Sequence, residues 1–384
     1  MMTGVEISDV SRWLVNCHRP EMHFEPISEP DAHKLLEISA HHGLASLLYY
    51  NFCKQNCIAI PIYFHPIFRE QYLKTFSQNS RSIRALHTIN ERFSDQKIEF
   101  IVLKGMALLI SLYRDIGTRP MSDIDILIRA EDVTAVSAIF ESLGFQQRTI
   151  AGKSDFITKL HESHQLDPWI ADGVRIELHT HIYNSNDPVR GNIEQYFNSA
   201  RSVAFEDRQY KVFEPSDMVT HLLSHLGRHF FYGHIRIHWF NEIAWFASEN
   251  DIDWEKVLAA SSDRRYLNII FLLQHYYGMV IPGFSASDSL KDGTFDLEQV
   301  FFSFLSDRVE PVYVRKNRVF RYKLNTVKGR SRWKLIVGEF FPDLSFMKQR
   351  YNTKSTFSAV LHYPVRWCVG FYRLLALLFG RSYR

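Results

Sequence analysis

Ile98-Glu99-Phe100-Ile101-Val102-Leu103-Lys104-Gly105, followed by Met121-Ser122-Asp123-Ile124-Asp125-Ile126-Leu127-Ile128, decides how this chain is read. The first stretch has the form of a buried strand that stops at a glycine, with a helix beginning directly after it. The second is a strand carrying two carboxylates two residues apart. Side chains alternate across a strand, so Asp123 and Asp125 share one face while Ile124 and Ile126 point the other way. Two carboxylates on one face repel unless a positive charge sits between them. A divalent cation held by oxygen ligands and shared with substrate phosphates, most often Mg²⁺, meets that need. The pattern points to metal-assisted phosphoryl chemistry.

Outward from this pair, residues 97–213 alternate strand and helix signals. Strand Ile98–Leu103 leads to a helix over Met106–Tyr113, and strand Ser122–Ile128 leads to a second helix. That helix opens at Glu131 and Asp132, runs through Val136, Ile139, Phe140 and Leu143, and stops at Gly144. A turn at Asp172-Gly173 precedes strand Val174–Leu178. Residues 1–96 read as a helical N-terminal domain, with apolar spacing of three and four from Ala32 to Tyr50 and again from Phe68 to Phe93. Residues 214–290 are helical once more. Ser216 or Asp217 suits the N-cap of a helix through Val219, Leu222, Leu223 and Leu226, and helices follow over Trp239–Phe246, Trp254–Ala260 and Leu267–Tyr277. Residues 291–384 form a basic, aromatic-rich helical tail. The expected class is α+β, a small mixed sheet between helical flanks.

Three features of the middle unit converge. An isolated Asp-x-Asp is most often a solvated strand end, and an acid between apolar strand neighbours is commonly the solvent face. Glu177, between Ile176 and Leu178, would bring a third carboxylate beside Asp123 and Asp125. Three such acids suit a two-metal site that clamps the attacking and leaving oxygens of an in-line displacement. Lys104-Gly105 stands where a helix N-terminus offers free N–H groups, with glycine allowing close approach to a phosphate. Lys104 adds a cation there, and Arg119, four residues before Asp123, adds another. Their order within one short unit is the argument.

Composition bounds the rest. The 384 residues allow two or three domains of ordinary globular make-up. Four scattered cysteines exclude a disulfide framework and fit a reducing cytoplasm. Cys53 and Cys57 lack the second pair a zinc site would need. Met1–Arg12 carries Glu6 and Asp9 without an apolar core, unlike a secretory leader. No apolar run approaches the ~20 residues of a membrane span, so no transmembrane segment is expected.

The net charge of +3 conceals a split. Pro311–Arg384 holds sixteen Lys and Arg against Glu339 and Asp343, a balance of +14, so the first 310 residues carry 3 − 14 = −11. Such a tail can meet RNA phosphates, a membrane surface or the acidic remainder of its own chain. Folding back onto that remainder is the simplest expectation, with Val365–Gly380 as a packed terminal helix. The histidines His161, His164, His179, His181, His221, His225, His229, His234 and His238 are dense. His221 and His225 have helical i, i+4 spacing but no H-E-x-x-H pattern, so they read as partly buried or substrate-facing side chains. His179 shares the face of Glu177 and is either a neighbour of the site or a packed histidine.

The chain resembles a known family on these residues. Leu103-Lys104-Gly105, Arg119 through Leu127, Glu131-Asp132, Leu143-Gly144-Phe145 and Ile176-Glu177-Leu178-His179 are similar to the uncharacterised nucleotidyltransferase family of the polymerase-beta-like superfamily. Ala40-His41-His42-Gly43-Leu44 and the segment from Ser216 to His225 extend the similarity. The resemblance implies a polymerase-beta-like nucleotidyltransferase core with a small mixed sheet. It also implies transfer of a nucleotidyl group from an NTP such as ATP, with two Mg²⁺ ions or Mn²⁺. By the same resemblance Asp123 and Asp125 would bind both metals, and Glu177 would complete the set and assist deprotonation of the acceptor. Lys104, Gly105 and Arg119 would hold the triphosphate, with Ser122 and His179 beside them. The chain departs from the superfamily at the phosphate turn, where Gly-Gly or Gly-Ser is usual and Lys104-Gly105 stands. Alternatives are a non-catalytic nucleotide-binding protein on the same fold, a D-x-D glycosyltransferase using a nucleotide sugar, and a toxin-like transferase acting on tRNA. The acceptor is left open among small molecules, peptide or protein, and RNA.

Overall fold

Strand β1 (Phe100–Val102) and strand β2 (Ile124–Ile128), each buried along its whole length, form the middle of a mixed sheet in a computed structural model of the chain. The structure describes residues 9–19, 24–55, 59–148, 166–182, 192–232, 235–260, 264–285 and scattered residues between 297 and 371. The other described strands are β3 (Gln146–Gln147), β4 (Trp169–Ala171), β5 (Val174–His179), β6 (Arg201–Phe205) and β7 (Arg208–Val212). Their order across the sheet is β3-β4-β5-β2-β1-β7-β6. β1 is antiparallel to β2 and parallel to β7, while β2 and β5 run parallel. Fully apolar β1 suits a central strand covered on both faces.

Helices α1 (Asp9–Asn16), α2 (Glu29–His41), α3 (Ala45–Asn51) and α4 (His65–Asp95) precede the sheet. Within it come α5 (Lys104–Ser111), α6 (Val133–Ser142) and α7 (Ile193–Ser199). After it follow α8 (Pro215–Tyr232), α9 (Ile237–Glu249), α10 (Trp254–Ala260), α11 (Arg264–Tyr277), α12 (Leu344–Arg350) and α13 (Thr356–Leu361). One apolar cluster runs from Val10 to Leu305 and includes β1, β2 and the buried faces of α4, α5, α8 and α9. The first and later helices are tied directly. Asn241 on α9 donates to the Leu14 carbonyl (2.8 Å) and accepts from the Tyr277 hydroxyl (3.1 Å).

Local differences from the sequence reading have local causes. The helical pattern from Ala32 to Tyr50 breaks between α2 and α3, where Gly43 takes φ +72° and lies so near His238 that a Cβ would fall 2.9 Å from its Nδ1. Glu214, not Ser216 or Asp217, caps α8. Its carboxylate accepts the N–H groups of Ser216 (3.0 Å) and Asp217 (2.9 Å), while the Ser216 hydroxyl accepts the N–H of Asp253. Pro215 then occupies the first helical turn, where its missing N–H costs nothing. The β4–β5 turn is the expected Asp172-Gly173, both at positive φ (+48° and +75°), which matches strand twist in a two-residue hairpin.

Candidate active site

The register of β2 against β5 builds the site. Asp125 pairs with Glu177 and Leu127 with His179, so Asp125, Glu177 and His179 line one face of two adjacent parallel strands. Asp123 stands just before β2, with Ser122 exposed beside it. Asp125 is buried, and its Oδ1 accepts from the Lys104 ammonium (2.6 Å) and from His179 Nε2 (2.8 Å). The bond to a carboxylate places the His179 proton on Nε2. Glu177 accepts from Arg175 Nε (2.8 Å), two residues back on its own strand. Single ligand atoms of Asp125, Glu177 and His179 lie within 4.8 Å of one another, the one group among the described residues placed to hold a metal ion.

Charge at the site is unbalanced. Burial, together with the neighbouring charges of Asp125 and Glu177, pushes the Asp123 carboxyl up to about 7. Asp125 goes the other way. Burial opposes its charge, but the Lys104 ammonium and the His179 hydrogen bond outweigh burial and hold it below the usual carboxylate range. Burial and the Lys104 charge push the His179 imidazole down, against the pull of Asp125. The donor set fits a divalent cation: oxygen-rich, inward-facing and short of positive charge.

The phosphate turn sits where the sequence placed it, with an added conformational demand. Lys104, the first residue of α5, has φ +45°. An L-residue in the left-handed region costs about 1–2 kcal/mol, a cost that glycine escapes. This explains in physical terms why the first position of such a turn suits glycine, and it shows that Lys104 holds its place under strain. Gly105 gives room to Arg119, because a Cβ there would sit 3.0 Å from the guanidinium carbon. Arg119 is itself buried and forked onto Glu242 of α9 (Nε–Oε1 2.6 Å, Nη2–Oε2 3.2 Å), which also accepts from the Tyr113 hydroxyl (2.8 Å). Asn79 on α4 donates to the carbonyls of Ile116 (2.6 Å) and Arg119 (2.7 Å) and fixes the segment that precedes Asp123.

Of the sequence-predicted residues, Asp125, Glu177, His179 and Lys104 therefore meet, with Asp123 within range of their charges and Ser122 at the rim. Arg119 lies against Gly105, but two of its three nitrogens are bonded to Glu242. Arg175, Tyr113 and Glu242 were not singled out by sequence reasoning. Arg175 was findable, since two-residue spacing puts it on the face of Glu177. Glu242 was not, being 123 residues from Arg119. His221 is buried edge-on to Phe213, and His225 packs on His229 and Trp239. Cys53 is buried, and Cys57, His161, His164 and His234 lie outside the described residues.

A family model described as "Uncharacterised nucleotidyltransferase" matches residues 28–279, well over half of the chain. The chain belongs to this family of transferases. The match spans the acids, the phosphate turn and Glu242. Curated proteins give no match. Among solved structures, the solution structure of the antibiotic-resistance factor ANT(2'')-Ia is 14% identical, covering 52% of this chain and 100% of that one, with a TM-score of 0.37. The crystal structure of ANT(2'')-Ia with adenylyl-2''-tobramycin is 14% identical over 46% of this chain and 93% of that one, at 0.33. A putative nucleotidyltransferase from Thermotoga maritima is 18% identical over 39% and 86%, at 0.31. Likenesses this partial carry no argument about the substrate of this chain.

Proposed function

We propose that the protein transfers a nucleotidyl group from an NTP to a hydroxyl-bearing acceptor and releases pyrophosphate. The observation that carries this reading is the parallel register setting Asp125 beside Glu177, with Asp123 next to them in surplus negative charge. Asp123, Asp125 and Glu177 would hold the divalent ions, two Mg²⁺ with Mn²⁺ able to substitute. Bound there, such ions supply positive charge to the attacking and leaving oxygens.

The chain's own residues do the rest. His179 donates to Asp125 and orients it, as outer-shell donors do for ligating carboxylates. Lys104 keeps Asp125 ionised and brings a cation to the N-terminus of α5, where a substrate phosphate would meet the helix N–H groups. Gly105 and Arg119 shape that turn, and Ser122 lies at its edge. In the transfer the acceptor oxygen bonds to the α-phosphorus as the bond to pyrophosphate breaks. Glu177 stands on the face where the departing acceptor proton would be taken up.

The test incubates the protein with each labelled NTP, Mg²⁺ or Mn²⁺, and cell extract, beside an Asp123→Ala/Asp125→Ala double variant. Label transfer by the native chain and none by the variant is the expected outcome. Transfer that survives in the variant would sink the reading, and NTP binding without transfer would favour a non-catalytic binding protein. A ribonuclease-sensitive product would identify the acceptor as RNA.

A further inference from the structure

The last described helices are built inside out. The chain is helical over Thr356–Leu361, turns at His362 and is helical again over 363–368, with the Arg366 N–H bonded to the His362 carbonyl. At helical spacing Phe357 and Leu361 share one side of the first segment, and Pro364, Val365 and Cys368 share one side of the second, an apolar arc on each. These arcs face outward: Phe357 is 74% exposed, Leu361 61% and Val365 52%, and Phe371 beyond them is 59% exposed. The opposite face turns toward α12 and the segment before it. Ala359 is buried, His362 stacks on Tyr351 with centroids 4.3 Å apart, the Tyr363 hydroxyl donates to the Pro342 carbonyl, and Arg366 Nε is buried. A helix of a water-soluble domain has the reverse arrangement. Of the stretch expected to pack as a terminal helix, Val365–Gly380, the described residues other than Arg366 are exposed.

We propose that this outward face docks on a membrane surface rich in anionic phospholipid. Charge selects the occupant. From Leu344 to the last residue the sequence has seven Lys and Arg and no Asp or Glu, and two of them, Lys348 and Arg350, end the neighbouring helix α12. An anionic lipid surface takes both features, with phenylalanine, leucine and valine entering the acyl boundary while the cations meet the headgroups. RNA would stack on the aromatics and neutralise the cations, but it offers nothing to Leu361 and Val365. A second copy of the chain would bring two strongly positive tails together. No helix among the described residues is long and apolar enough to cross a membrane, so the attachment is peripheral.

The test floats the full-length protein with phosphatidylcholine vesicles made with or without phosphatidylglycerol, next to a Phe357→Asp/Leu361→Asp variant. The native chain should float with the anionic vesicles, and at least about tenfold less with the neutral ones. The variant should lose at least about tenfold of the anionic binding while keeping its thermal transition and label transfer, because both side chains are on the surface. Absence of flotation on anionic vesicles, or flotation the variant does not reduce, overturns the proposal. Binding to an RNA oligonucleotide, or dimerisation, that the variant abolishes in a chain that never floats would assign the face to that partner instead.

Discussion

Two ion pairs, one buried and one part-buried, lie beside the phosphate loop, and they differ in kind. Arg119 and Glu242 form a closed pair. Its charges cancel, the fork is bidentate, and Tyr113 donates to the same carboxylate. Lys104 and Asp125 form an open pair, in which the Lys104 ammonium and, on Glu177, the Arg175 guanidinium face three acids, Asp123, Asp125 and Glu177. The closed pair leaves nothing for a ligand to correct, so its task is to hold the loop. The open pair sits among more acids than cations, a surplus that a cation brought from outside removes, so its task is binding. Both have a buried carboxylate; charge balance separates them.

The sharpest way to break this comparison is to remove an acid from each pair and ask which property fails. Asp125→Asn should lower nucleotidyl transfer by at least about a thousandfold, about 4 kcal/mol of transition-state stabilisation, measured as kcat/KM. Its metal-free denaturant midpoint should change far less than that of a variant in the closed pair. Glu242→Ala should do the converse first: Arg119 keeps a buried charge with no partner, and about 3–5 kcal/mol of stability is lost in urea unfolding. An Arg119→Met/Glu242→Leu double variant should recover most of it. If Glu242→Ala leaves stability untouched, the closed pair is no strut.

A smaller effect is expected from His179→Phe, which removes a donor from Asp125 without removing a carboxylate. Divalent-ion affinity measured by calorimetry should fall by roughly 10–100-fold. The smallest effect concerns pH. The folded-state value of Asp123, about 7, lies above its unfolded value of 3.8, so its contribution to stability is present at low pH and lost as pH rises from about 4 through 7. The metal-free thermal midpoint of the native chain should therefore fall relative to that of Asp123→Asn between pH 5 and 8, and adding Mg²⁺ should narrow the gap. Parallel curves for the two proteins would show that Asp123 does not carry the surplus charge.

The open pair was legible in the sequence and the closed pair was not, for a physical reason. Asp123, Asp125 and Glu177 announce themselves through strand alternation, a period of two within a few residues. Lys104-Gly105 announces a turn but not its hand; that Lys104 takes a positive φ follows from how α5 leaves β1. Arg119, four residues before Asp123, reads from the sequence as a cation for the phosphate, whereas the fold brings Glu242 to it from α9. The edge strands β3 and β6 escaped because they are short or carry alternating exposure with polar residues, leaving little apolar signal. In the tail the apolar spacing was visible, yet periodicity gives only the width of a stripe. Which way the stripe points is decided by His362, Tyr363 and Arg366 on the opposite side.

The reach of Glu242 across 123 residues bears on how this enzyme can be taken apart. A fragment ending at the last strand would keep Asp123, Asp125, Glu177 and the whole sheet. It would also leave the Arg119 guanidinium beside Gly105 with its counter-charge cut away, and Asn241 would no longer be there to hold the Leu14 carbonyl. Any division of the molecule for expression, or for exchange of its acceptor-binding parts with a relative, therefore has to carry α9 along with the sheet.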